Sequence, residues 1–185
     1  MNATALLLPH RCVVVSRHAL QQLRVSLERG TGVQSATYLQ EAGFAGGESV
    51  FNAFAEWAAA NYKVEKPSEL DVQYLGEALS GFFVEFGWGD LLPDQLTPTI
   101  VSLDSTNWAE ADPEAQTPYP SCHFTSGMLA DFFGRLVGGL IGVMEVECRS
   151  RGDERCRFLA GSPDVISQLY QQMNRGMTYQ QAIEG

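Results

Sequence analysis

Three cysteines constrain this chain more than any other feature. Cys122 stands at the head of an amphipathic segment, and Cys148 and Cys156 bracket a short basic turn in ECRSRGDERCRF. Glu145 and Glu147 lie close by in sequence. A thiolate-rich set with a carboxylate suits zinc, which takes about four Cys, His or Asp/Glu ligands in a tetrahedron. The alternatives are a disulfide with one spare thiol, or three small buried hydrophobes. His123 is a further candidate ligand, but its place next to Cys122 points it elsewhere. Cys12, in the apolar stretch CVVV, reads as an inert core thiol. The trio thus says how the C-terminal half is built, and function must be sought elsewhere.

The 185 residues fit one domain with a core of its own, and 45% hydrophobic against 18% charged residues excludes wholesale disorder. A net charge of −10 and a pI near 4.6 argue against nucleic acid as partner, since phosphate binding needs a basic face. One local exception is the cluster Arg149, Arg151, Arg155 and Arg157. No apolar run reaches the roughly 20 residues that cross a bilayer. The opening MNATALLLPHR has no basic n-region and no A-x-A cleavage site, so no signal peptide is expected. A chain this size folds without disulfide staples, and a reduced, cytoplasmic setting is the expectation.

Hydrophobic periodicity orders the rest. CVVV at 12–15 reads as a strand, and Ser16 caps a helix with Leu20, Leu23 and Leu27 on its apolar face, stopped by Gly30. A second helix over 34–42 breaks at GFAGG, and a third runs from about 48 to 62. Pro67, Ser68 and Asp71 open a fourth, reaching Phe86 before GWG. Residues 91–103 are β-prone, and the acidic stretch that follows is a long loop with a helical turn around Trp108. A helix over 124–137 precedes a hairpin, IGVMEVECRS returning as CRFLAG. Ser162-Pro163 opens a C-terminal helix, and Thr178 with Gln181 boxes a final turn. Helices, a hairpin and more helices predict an α+β fold, an antiparallel sheet packed against several helices.

The segment SCHFTSGMLADFFGRLVGGLIGVMEVECRSRGDERCRFLAG resembles the core of the 4-vinyl reductase domain family. EAGFAGGE and FGWGDL are weaker landmarks of the same domain. The resemblance spans about residues 10–161 of a single domain over 1–185, leaving 162–185 as a helical extension. It implies a 4-vinyl reductase-like fold whose C-terminal hairpin is stapled by a structural Zn²⁺ held by Cys122, Glu145, Cys148 and Cys156. Strand alternation alone does not choose between Glu145 and Glu147, which share a face, while Cys148 points the other way; a bulge near Cys148 is needed. The four arginines are expected to offset the charge of the thiolates and to donate to the sulfurs.

Sensor members of the family hold aromatic compounds in an apolar cavity, and the residues here that could line one are Phe82, Phe83, Phe86, Trp88, Trp108, Met128, Phe132 and Met144. Each is equally suited to an ordinary core. Where the phenol sensors place a Trp about twenty residues before the first zinc cysteine, this chain has Val101, and no histidine lies between His18 and His123. Recognition of phenol in that manner is therefore not expected. No GxGxxG after a strand, flavin signature or Walker loop is present, so no reductase activity is expected. The expectation is a non-enzymatic protein that senses, carries or presents an apolar or aromatic ligand. The alternative, implied by stand-alone relatives, is an accessory factor in tetrapyrrole or (bacterio)chlorophyll metabolism or photosystem assembly, acting through protein contacts. As given, no ATPase or DNA-binding region follows the domain. The resemblance also implies a homodimer.

Overall fold

The computed structural model describes residues 8–10 and 12–184; the opening apolar stretch lies largely outside them. Six helices and four strands form an α+β fold: α1 (Arg17–Thr31), α2 (Gln34–Tyr62), α3 (Val72–Glu85), β1 (Leu92–Thr97), β2 (Ile100–Ser105), α4 (His123–Val137), β3 (Gly142–Glu147), β4 (Cys156–Gly161), α5 (Pro163–Asn174) and α6 (Tyr179–Glu184). The sheet is antiparallel in the order β1-β2-β4-β3. No described helix is long and apolar enough to cross a membrane.

Strand alternation divides two cores. In β4, Cys156, Phe158 and Ala160 face a large cluster built on α2, α3 and α4, with Phe54, Leu79, Phe82, Phe83, Leu129 and Phe132. Leu159 faces the other way, into a smaller cluster with Ile100, Val146, Ile166, Leu169 and Tyr179. The sheet is thus covered on both faces, by long helices on one and by α5 and α6 on the other. Ser162 caps α5 through a bond from Val165 N, and Thr178 and Gln181 exchange the reciprocal bonds of a capping box.

Three expectations are corrected. Residues 12–15 form no strand: Val13 and Val14 are over three-quarters exposed, and Cys12 is half-buried rather than in the core. On α1, Leu23 turns outward and Arg24 is the buried residue. The helices expected over 34–42 and 48–62 are one helix, α2, which runs through GFAGG without a break.

Close packing explains the glycines of that stretch. A Cβ at Gly43 would run into the carbonyl oxygen of Phe124, and one at Gly127 into that of Gln40. At Gly47 it would come within 2.6 Å of Asp131 Cβ. Glycine here lowers helix propensity but lets two backbones touch, and tertiary contact outweighs the propensity cost. Gly46 differs, with open space where its Cβ would be. Gly43→Ala should therefore destabilise the protein by about 2 kcal/mol or more through overpacking. Gly46→Ala on the same helix should stabilise it by about 0.5 kcal/mol. Chemical denaturation of the two variants checks the contrast, and equal effects would refute helix contact as the reason for the glycines.

Candidate metal centre

The crossing of α2 and α4 sets Cys122, which immediately precedes α4, over the β3–β4 hairpin. Cys122 Sγ lies 3.8 Å from Cys148 Sγ and 4.0 Å from Cys156 Sγ. With Glu145 included, all four ligand atoms fall within 4.8 Å of one another. A disulfide needs about 2.05 Å between sulfurs, so these thiols are unbridged. A tetrahedron with metal–sulfur bonds of about 2.3 Å has edges of about 3.8 Å, so the observed spacing suits a shared cation. The carboxylate is placed for the same task. Glu145 Oε2 accepts from Cys122 N at 2.8 Å, while Oε1 is buried without a hydrogen-bond partner. The four residues can hold a metal ion.

A bulge resolves the choice between the glutamates. Glu145 pairs with Phe158 and Glu147 with Arg157, with a register shift between them. Glu145 therefore faces the sulfurs on the inner side, while Glu147 emerges on the outer face, where Arg155 Nε donates to it at 2.8 Å and Tyr179 Oη also donates. After Cys148 the chain makes a single 3-10 turn, Arg149–Arg151, closed at Gly152 with φ of 100°. Asp153 Oδ2 accepts from Cys148 N at 2.7 Å and fixes that turn.

The arginines do something other than serve the sulfurs. Arg157 forks onto Asp104 at 2.6 and 2.7 Å, Arg155 binds Glu147 and Asp104, and Arg151 binds Asp153 and the Val146 carbonyl. Alternation puts Arg157 on the face opposite Cys156, so the cluster fastens the hairpin to β2 and α6.

Burial sets the protonation of the empty donor set. It pushes the Cys122 thiol and the Glu145 carboxyl well up, while bonds from Cys122 and then Cys156 pull the Cys148 thiol down. A cation must displace the protons that burial retains, so its uptake releases protons and weakens in acid.

Sequence reasoning passed over Glu110. This buried carboxylate, from the loop after β2, accepts from Phe124 N at 3.0 Å and Thr125 N at 2.7 Å. It caps α4 from a distance, because the Cys122 side chain makes no capping bond. Thr125 Oγ1 donates to it and accepts from Trp108 Nε1 at 2.6 Å. The one signal available was an uncapped helix start preceded by an acidic loop. Burial raises the Glu110 carboxyl to about 7 despite these bonds. His123, outside the donor set, is lowered first by burial, with Glu28 raising and Arg24 lowering it, which places that pair beside the start of α4.

The pocket candidates divide between the two cores. Phe82, Phe83, Trp108, Met128 and Phe132 are fully buried in the larger one, with Phe86 and Trp88 half-buried at its rim. Met144 lies in the smaller cluster across the sheet. The rings touch: Phe83 lies 5.5 Å from both Trp108 and Phe132, and Trp88 stacks on Trp108 at 5.6 Å. Two surface grooves of about 290 and 300 Å³ are lined by other residues, around Tyr62 and Tyr74 and around Phe44 and Ala130.

Residues 107–162 match the vinyl-4-reductase domain, and the family resemblance read from the sequence is found there, over α4 and the hairpin that carries the donors. An uncharacterized protein of Methanocaldococcus jannaschii, MJ0745, is 28% identical over 80 residues, 43% of this chain. The match spans 42% of that relative, less than half its length. Among solved structures, the phenol-responsive sensory domain of the transcription activator PoxR, crystallised with phenol, aligns with a TM-score of 0.60 and 18% identity over 82% of this chain and 76% of that one. The fold is shared. A vinyl-4-reductase family protein from Methanocaldococcus jannaschii aligns with a TM-score of 0.47 and 20% identity over 64% of this chain and 66% of that one.

The raised Glu110 carboxyl makes a signed prediction. A folded pKa of about 7 against an ordinary 4.5 means the folded state binds the proton more tightly. Its contribution to stability is complete below about pH 4.5 and is lost as pH rises through about 7, by up to about 3 kcal/mol. Glu110→Gln removes the titration, so the stability of the wild type relative to this variant should fall between pH 4.5 and 7. Denaturant unfolding at both ends of that window measures it, and a constant difference would refute it.

Proposed function

We propose that this chain is a non-catalytic small-molecule-binding domain of the sensory type, taking an apolar or aromatic molecule between the long helices and the sheet. The observation that supports it is the continuous layer of rings on the inner sheet face, where Phe54, Phe82, Phe83, Trp108, Phe132 and Phe158 pack at centroid distances of 5.3 to 6.2 Å. Rings in such tilted and edge-to-face contact present to a ligand ring the geometry they present to each other. The polar atoms of the layer are already committed. Trp108 Nε1 donates to Thr125, and Trp57 Nε1 donates to Glu85 at 2.7 Å. This favours a ligand held by shape and apolar surface. Phe86 and Trp88, half-buried at the rim, are the side chains it displaces on entry. The fold shared with a phenol-responsive sensory domain supports the same class of ligand. An accessory role in tetrapyrrole metabolism and a homodimer rest on the family resemblance.

Thermal shifts and native mass spectrometry against neutral aromatics, phenol included, and a tetrapyrrole panel test this reading. A bound aromatic should raise the melting temperature and change tryptophan fluorescence, and Trp88→Ala should weaken it about tenfold, or 1.4 kcal/mol. A core that accepts nothing at millimolar ligand, with fluorescence unchanged, would sink it.

The metal in this reading is zinc with a structural role. Cys122, Glu145, Cys148 and Cys156 supply four protein donors, which completes a tetrahedron and leaves no position for an activated water. When bound, the ion supplies a cross-link between the start of α4 and the hairpin. Purified protein should carry about one zinc per chain by elemental analysis. Chelation or Cys148→Ser should lower the melting temperature steeply; a metal-free protein that melts unchanged on adding zinc contradicts the assignment.

A further inference from the structure

Arg24 is 3% exposed on a helix that is otherwise exposed or half-buried. α1 turns Leu20, Arg24, Leu27 and Thr31 toward the body of the protein, so a cation sits at the centre of the stripe that should be most apolar. Its Nη1 donates to Glu28 Oε1 at 3.1 Å. Its Nε and Nη2 are buried and have no hydrogen-bond partner. These two nitrogens form one edge of the guanidinium, the fork that takes two oxygens of a carboxylate or phosphate side by side. A guanidinium cannot shed its proton to escape burial, as a lysine can. Buried N–H groups left open in a native fold call for a partner such as an ion.

We propose that Arg24 is the receptor for an oxyanion, the carboxylate or phosphate of a small molecule, which closes the Nε–Nη2 edge and pins α1 to the domain. Glu28 leaves that edge free because it engages Nη1. The helix is suited to being pinned. Leu23 and Val25 face outward, and Leu20 and Leu27 are only half-buried. α1 therefore has little apolar anchorage, and its most buried group is the one with bonds to make. The site is separate from the aromatic core, and the two are tested by different probes: neutral aromatics for the core, oxyanions for Arg24.

The experiment uses the full chain, titrated calorimetrically with benzoate, inorganic phosphate and the neutral analogue benzyl alcohol, followed by hydrogen exchange on α1. One of the two oxyanions should bind saturably and slow exchange of the α1 amides, and benzyl alcohol should not slow them. Which oxyanion binds identifies the source. Arg24→Met removes the buried charge and should abolish both effects while melting no lower than the wild type without anion. Arg24→Lys keeps the charge but loses the fork, so it should bind at least tenfold more weakly and decides the matter if the Met variant does not fold. Failure of both oxyanions to bind, or equal binding by wild type and Arg24→Lys, overturns the proposal.

Discussion

The contact on which the rest of the structure depends is the near-touching of two helix backbones, α2 and α4, at Gly43, Gly47 and Gly127. It fixes where α4 begins and how close that start lies to the sheet. Cys122 rides on that start, so the sulfur reaches the hairpin because three side chains are missing elsewhere. Glu110 then caps α4 from the loop after β2, and Trp108 joins it through Thr125. The donor cluster and the aromatic layer thus hang from one helix crossing. Helix packing usually keeps axes 8–10 Å apart according to the side chains between them. Here glycine sets the lower limit.

Much of this was legible in the residues, and the failures share a cause. The caps at Ser16, Ser162 and Thr178 are local, each a side chain bonding a backbone group two or three residues on, and they appear where expected. The hairpin and the donor set were legible because cysteine spacing is restrictive. GFAGG misled because glycine lowers helix propensity, whereas its reason for being there is a partner some eighty residues away. CVVV misled because β-branched residues suit a strand only when a neighbouring strand exists to pair with. On α1 the periodicity marked the right helix and the wrong centre, since pattern reading does not expect an arginine in the middle of a buried stripe. Glu110 escaped because a cap supplied from a distant loop leaves no local spacing.

Charge is arranged by face rather than by proximity in sequence. The basic cluster lies next to the cysteines along the chain, yet Arg155 and Arg157 are spent on Asp104 and Glu147, across the sheet from the sulfurs. With Tyr179 bonding both Glu147 and Arg157, this network joins β2, β3, β4 and α6 on the outer surface. The partly buried pairs there make geometry more than stability, because desolvation offsets much of their attraction. The hairpin is therefore gripped from both sides, by thiolates and a carboxylate within and by ion pairs without.

The bulge between Glu145 and Glu147 has a consequence for reading chains of this kind. In an even strand, residues three apart point to opposite faces, so a Glu-x-x-Cys pair could never bind one ion. The extra residue shifts the count by one, and both donors arrive on the same side. The spacing of the two donors therefore encodes the irregularity itself. A chain with Glu-x-Cys would need a regular strand, and inserting or deleting one residue here would exchange which face is metal-binding and which is ion-paired. Register in this hairpin is written in the chemistry of its ligands, and the backbone follows.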